Sequence, residues 1–128
     1  MKLRLRGNSL RLRLNRSEVA DLVKTGALEE GVAFGPRAEH RLVYAVGLVP
    51  GGAEAAPTAS LEGARVLVQL PQAAALIWAE GAGVGLYGET DWGLKIAVEK
   101  DFKCLEPRIH EDESDAFDHP GGVSHCKV

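Results

Sequence analysis

Both cysteines and three of the four histidines fall in the last quarter of the chain, at Cys104, His110, His119, His125 and Cys126. Thiolate and imidazole are the ligands that Zn²⁺ prefers in closed tetrahedral sites. Five residues separate His119 from His125, and five separate Cys104 from His110, a spacing that suits loop ligands. His125 and Cys126 are adjacent, so one of them would supply a fourth ligand. Zinc is the first expectation, because mixed sulfur and nitrogen ligation suits it; iron and copper also take such ligands. There is no C-x-x-C. The plainer alternative is a solvated acidic tail with one buried thiol, Cys104, at the end of the last strand. A Cys104–Cys126 disulfide in a cytoplasm would be a switch or a product of air oxidation.

A second set of residues lies at the other end. Arg4, Arg6, Arg11 and Arg13 alternate with leucines, so they project from one face of two neighbouring strands. Such a face can hold phosphates or an RNA backbone through forked contacts. No aromatic residue is interleaved with these arginines, so the base-stacking platform of single-strand binders is missing from this stretch. The alternatives are a solvated face, or a face covered by the chain's own acids. Residues 1–16 carry six cations and no acid, whereas residues 106–118 carry six acids against Arg108. The run Glu111-Asp-Glu113-Ser-Asp115 is then expected to lie across the arginines of the same chain or of a neighbouring subunit. The formal net charge of −3 argues against a dedicated duplex-DNA binder.

Other chemistries lack their residues. There is no G-x-x-x-x-G-K-[ST] phosphate loop, no G-x-S-x-G elbow, and no D-x-D-x-D-G calcium order among the tail acids. No acid–base or nucleophile–base pair can be located from spacing, so whether the chain is an enzyme stays open.

The elements that must carry these residues come as a repeat. Leu3-Arg-Leu-Arg-Gly7 and Leu10-Arg-Leu-Arg-Leu14 precede a helical pattern that ends at Gly26. Shifted by 56 residues, Ala59-Ser-Leu-Glu-Gly63 and Val66-Leu-Val-Gln-Leu70 precede another that ends at Gly81. The closing strands Leu42-Val-Tyr-Ala-Val46 and Leu94-Lys-Ile-Ala-Val98 also correspond. Gly7-Asn8 marks a tight turn, Asn15 with Glu18 a capping box, and Gly26 a helix end. The expectation is one α+β domain of internally duplicated β-β-α-β-β units related by a pseudo-twofold. Its strands are mostly antiparallel. The first repeat occupies residues 1–48, the linker 49–56, the second repeat 57–100 and an extended tail 101–128.

Leu12, Leu22, Val68, Leu76 and Ile77 are expected in the core. The second helix is apolar almost all round, so it is either deeply buried or part of a subunit contact, which would make the protein a homo-oligomer. No secretory signal and no membrane-spanning run is visible, so the expected compartment is the cytoplasm.

Gly7-Asn-Ser-Leu-Arg-Leu-Arg-Leu14 with Ser17-Glu-Val19, and Glu99-Lys-Asp-Phe-Lys-Cys-Leu105 followed by Glu111-Asp-Glu113 and Asp115, resemble a family of small bacterial proteins of unknown function. The resemblance spans nearly the whole chain and implies no activity. It implies that Cys104 and the acidic cluster belong to the family design. The family pattern has Pro-Asn-Pro near the end of that cluster, where this chain has Asp118-His119-Pro120, so the resemblance does not extend to His119. A looser similarity is to the triphosphate-tunnel enzymes. Leu3-Arg-Leu-Arg6 stands where their Glu-x-Glu-x-Lys strand opens, so their activity does not carry over.

The expected function is that of a binding or accessory protein with a Cys/His metal site in its tail. The alternative is an anion-binding protein that uses the arginine hairpin for a phosphorylated ligand or RNA.

Overall fold

The computed structural model describes residues 1–102, 115 and 117. The first repeat contains β1 (Lys2–Arg6), β2 (Ser9–Leu14), α1 (Arg16–Thr25), β3 (Ala27–Ala33) and β4 (Arg41–Val49). The second contains β5 (Thr58–Glu62), β6 (Arg65–Pro71), α2 (Gln72–Glu80), β7 (Gly85–Glu89) and β8 (Lys95–Lys100). The protein is α+β, and its arrangement fits a duplication.

The repeats are interlocked rather than side by side. Sheet I has the order β1-β2-β8-β7, and sheet II the order β3-β4-β6-β5. Each sheet therefore joins the opening hairpin of one repeat to the closing hairpin of the other. The joints are the parallel pairs β2–β8 and β4–β6, and the remaining pairs are antiparallel.

Local chemistry accounts for the elements. The opening hairpins turn at Gly7-Asn8 and Gly63-Ala64, where only the glycines have positive φ, +55° and +57°. A turn that needs positive φ at its first central residue alone accepts Asn or Ala at the second. In α1, the Asn15 side chain accepts from Glu18 N at 2.9 Å, and Glu18 Oε1 accepts from Asn15 N at 3.0 Å. Asp115 extends this cap: its carbonyl accepts from Arg16 N at 2.8 Å and its carboxylate from Ser17 N at 3.2 Å.

Alternation places Leu10, Leu12, Leu14, Ile96 and Val98 of sheet I in one core with Val46, Val68 and Leu70 of sheet II. Val19 and Leu22 of α1 and Ala75 and Trp78 of α2 complete it. Leu12, Leu22 and Val68 are buried as expected, but Leu76 is half-buried and Ile77 is 62% exposed. Composition hid the helix's polarity. Ala74, Ala75 and Trp78 form its buried stripe. At about 100° per residue, Ile77 points roughly 200° away from Ala75. The small alanines let the backbone approach the core while Trp78 fills the remaining volume, its indole donating to Val84 O at 3.1 Å.

Candidate anion-binding face

The pleat that turns Leu3 of β1 and Leu10, Leu12 and Leu14 of β2 to the core turns the cations of both strands outward, while Leu5, near the hairpin end, stays 61% exposed. Pairing then sets the outward residues of sheet I in rows. One row is Arg4–Arg11–Ala97–Tyr87, crossing all four strands. On one side of it runs Arg6–Ser9–Lys95–Glu89, and on the other Lys2–Arg13–Glu99–Gly85. The four expected anion-binding arginines thus share one face, beside residues of the second repeat.

Glu99 organises the middle of the face. Its Oε1 lies 3.1 Å from Arg11 Nε and 3.9 Å from Arg13 Nε. Its Oε2 accepts from Tyr87 Oη at 2.7 Å. Gly85 makes room for this contact: a Cβ there would come within 2.8 Å of Glu99 Cγ and 3.0 Å of Tyr87 Oη. Burial first, and then the bond to Glu99, push the Tyr87 phenol up to about 12, so it remains a neutral donor at physiological pH. Lys2 pairs with Asp101 at 2.9 Å. Arg4 and Arg6 have no ion-pair partner among the described residues. Between Arg11 and Tyr87 runs a shallow groove of about 500 Å³, floored by Ala97 and edged by Ser9, Lys95 and Glu89.

Sequence reasoning located the arginines but missed Tyr87, Ala97, Lys95 and Glu99 as their neighbours. Tyr87 stands 76 positions from Arg11 and reaches it only through the parallel β2–β8 joint. The repeat offsets held a partial signal, because they align β8 with β4, but nothing in them says that hairpins are exchanged between sheets.

The other expected site residues, Cys104, His110, His119, His125 and Cys126, lie outside the described residues. Among the described residues, no group of three or more His, Cys, Asp or Glu side chains is placed to hold a metal ion. Of the acidic run expected over the arginines, the structure describes Asp115, which sits at the α1 N-terminus instead. Phe117 follows it, edge-on to Phe102 at 6.1 Å, with Arg16 and Lys100 over its ring at 5.8 and 5.2 Å. Lys100 is a buried cation, 5% exposed, that donates to Gly81 O at 2.6 Å; burial lowers its pKa.

No described helix is long and apolar enough to cross a membrane. No curated protein and no solved structure matches the chain. A family model does match, over residues 1–121, so the expected resemblance holds at the level of the family: the chain belongs to DUF7009, a family of unknown function.

Proposed function

We propose that this protein binds phosphate-type anions on the outer face of sheet I. The observation that carries the reading is the cross-strand pair Arg4–Arg11. Like charges directly opposite each other destabilise a sheet, and Glu99 offsets Arg11 and Arg13 but not Arg4 or Arg6. A bridging anion would turn this local repulsion into forked, charge-assisted contacts. The test is calorimetric titration with tripolyphosphate at low and high salt. Binding is expected to weaken as salt rises and to fall sharply in the Arg4→Gln, Arg6→Gln double variant. Binding that is absent at low salt, or unchanged in the variant, would overturn the reading.

A further inference from the structure

Resting on that anion-binding reading, we propose that the ligand is a nucleotide unit, with an unpaired base held over Ala97 between Tyr87 and Arg11 and its phosphate on the neighbouring arginines. The argument starts from strand spacing. Neighbouring strands lie about 4.8 Å apart. Arg11 and Tyr87 flank Ala97 in register, so their backbones stand roughly 10 Å apart. Between them projects a single methyl group. A flat ring standing on that methyl meets an aromatic wall on one side and a guanidinium on the other. Aromatic rings pair at centroid distances of about 4.5–7 Å, and a cation acts on a ring within about 6 Å. Those two reaches together span the gap.

The walls are held before any ligand arrives. Tyr87 is 57% exposed, yet its hydroxyl is tied to Glu99 at 2.7 Å. The same carboxylate holds Arg11 at 3.1 Å. One acidic group thus fixes both sides of the slot, which lowers the ordering cost of binding. The next row offers Lys95 as a donor and Glu89 as an acceptor, with Ser9 Oγ, whose proton goes to Arg6 O at 2.6 Å, as a second acceptor, groups of the kind that read a base edge. Arg4 lies beyond Arg11 in the same row, on the side where the sugar-borne phosphate of that nucleotide would lie. An inorganic anion would use the arginines and leave the groove empty. The groove has the size of a small-ligand site, and it supplies the stacking surface that the arginine hairpin lacks in its own sequence. This chemistry is shared by a free nucleotide and by one unit of a single-stranded RNA.

The test compares ligands of equal charge with and without bases. The probes are an eight-nucleotide single-stranded oligoadenylate, the abasic oligomer of the same length, ADP and pyrophosphate. Affinities are measured by fluorescence anisotropy and competition on the intact protein. The base-bearing member of a pair is expected to bind tighter than its base-free partner. Tyr87→Ala should remove that advantage, a loss of about five- to 150-fold for one stacked base. Ala97→Leu should also remove it, by filling the slot without changing any charge, and Tyr87→Phe, which keeps the ring but loses its tie to Glu99, should keep most of it. Unchanged thermal melts of all three variants exclude misfolding as the cause. An advantage in the ADP pair alone assigns the free nucleotide as the source, and one in the oligomer pair assigns single-stranded RNA. Equal, salt-dependent binding with and without bases overturns the base slot and leaves the anion-binding face standing. No binding of any probe overturns both.

Discussion

The outer face of sheet I has an internal control in sheet II. The row Arg4–Arg11–Ala97–Tyr87 corresponds, under the duplication, to Ser60–Leu67–Ala45–Glu29. The small residue in the third strand is kept, and everything around it differs. Sheet I presents Lys2, Arg4, Arg6, Arg11, Arg13 and Lys95 against Glu89 and Glu99. The corresponding face of sheet II balances Arg41 and Arg65 with Glu29 and Glu62, and Arg65 is paired with Glu29. Ala45 is buried at 3% exposed, whereas Ala97 floors an open groove. The architecture is met equally well by both sets of residues. The shared architecture therefore does not by itself dictate the arginines or Tyr87 on this face.

The largest expected effect probes the symmetry itself. Leu14 and Leu70 are 56 residues apart, and each is fully buried in the shared core. Leu14→Ala and Leu70→Ala should each cost about 2–5 kcal/mol in urea melts. The two costs should be similar, because each side chain faces the same core from an equivalent position. One variant melting like the wild type would break the equivalence of the sheets.

The second prediction moves sheet II's chemistry onto sheet I. Arg4→Ser combined with Arg11→Leu installs the equivalent residues. Tripolyphosphate and heparin binding should weaken, and the salt dependence of binding should become shallower by about one to two in log–log slope. Stability should change little, since the gain of about 0.2–1 kcal/mol from removing an opposed like-charge pair is set against the lost Arg11–Glu99 contact. A clear loss of stability with unchanged binding would show that the arginines serve the fold.

The sequence showed the repeat because apolar strand patterns recur at a fixed offset, alternating in β1 and β2, and each opening hairpin turns on a glycine, Gly7 or Gly63. These are local rules, and they located the strands and helices to within a residue or two. Which hairpin lies beside which is decided by burial of whole faces, so the exchange that brings Tyr87 to Arg11 was not legible. The arginine face could be seen from period two alone. Its aromatic wall could not, because nothing in Gly85-Leu-Tyr-Gly88, whose Tyr87 is 76 positions beyond Arg11, says which strands it will lie beside. The error at Ile77 has a similar origin. Nearly every residue of α2 is apolar, so hydrophobicity could not choose the buried stripe; packing of Ala75 and Trp78 chose it.

A smaller effect is expected at the helix starts. α1 is closed by the reciprocal bonds of Asn15 and Glu18, while α2 begins at Pro71 with no side-chain cap. The cap is thus a feature of one repeat and not of the architecture. Asn15→Ala should cost about 1 kcal/mol, read from thermal melts against wild type. No measurable cost would mean that Asp115, which also accepts from this helix start, suffices alone.

The smallest effect concerns the place where each repeat begins. In the first, the Met1 amine is held by Glu18 and, at 2.8 Å, by Glu30, which also accepts from Tyr44 Oη at 2.9 Å. In the second, Pro57 takes the corresponding position and rests on Gly88, where a Cβ would come within 2.9 Å of Pro57 O. Ala74 and Ile96, both buried, stand where Glu18 and Tyr44 stand in the first repeat. An ammonium needs carboxylates at this position, and a proline inside the chain needs only space. Burial pulls the Met1 amine down, but the hydrogen bonds and charges of Glu18 and Glu30 outweigh it, so its pKa is raised from 8.0. The sign follows from linkage. The amine's contribution is full below about pH 8 and is lost as pH rises through the raised folded value. Lys100 acts in the opposite sense, because its lowered pKa means that its penalty fades as pH rises. Comparing wild type with Glu30→Gln cancels Lys100, which is common to both. Urea midpoints taken from about pH 7 to about pH 9, below the range of the Tyr44 phenol that Glu30 also holds, should fall less steeply in Glu30→Gln than in wild type. Parallel curves would show that the amine and Glu30 do not interact in solution, and the contrast between the charged and the apolar start of the two repeats would carry no energetic weight.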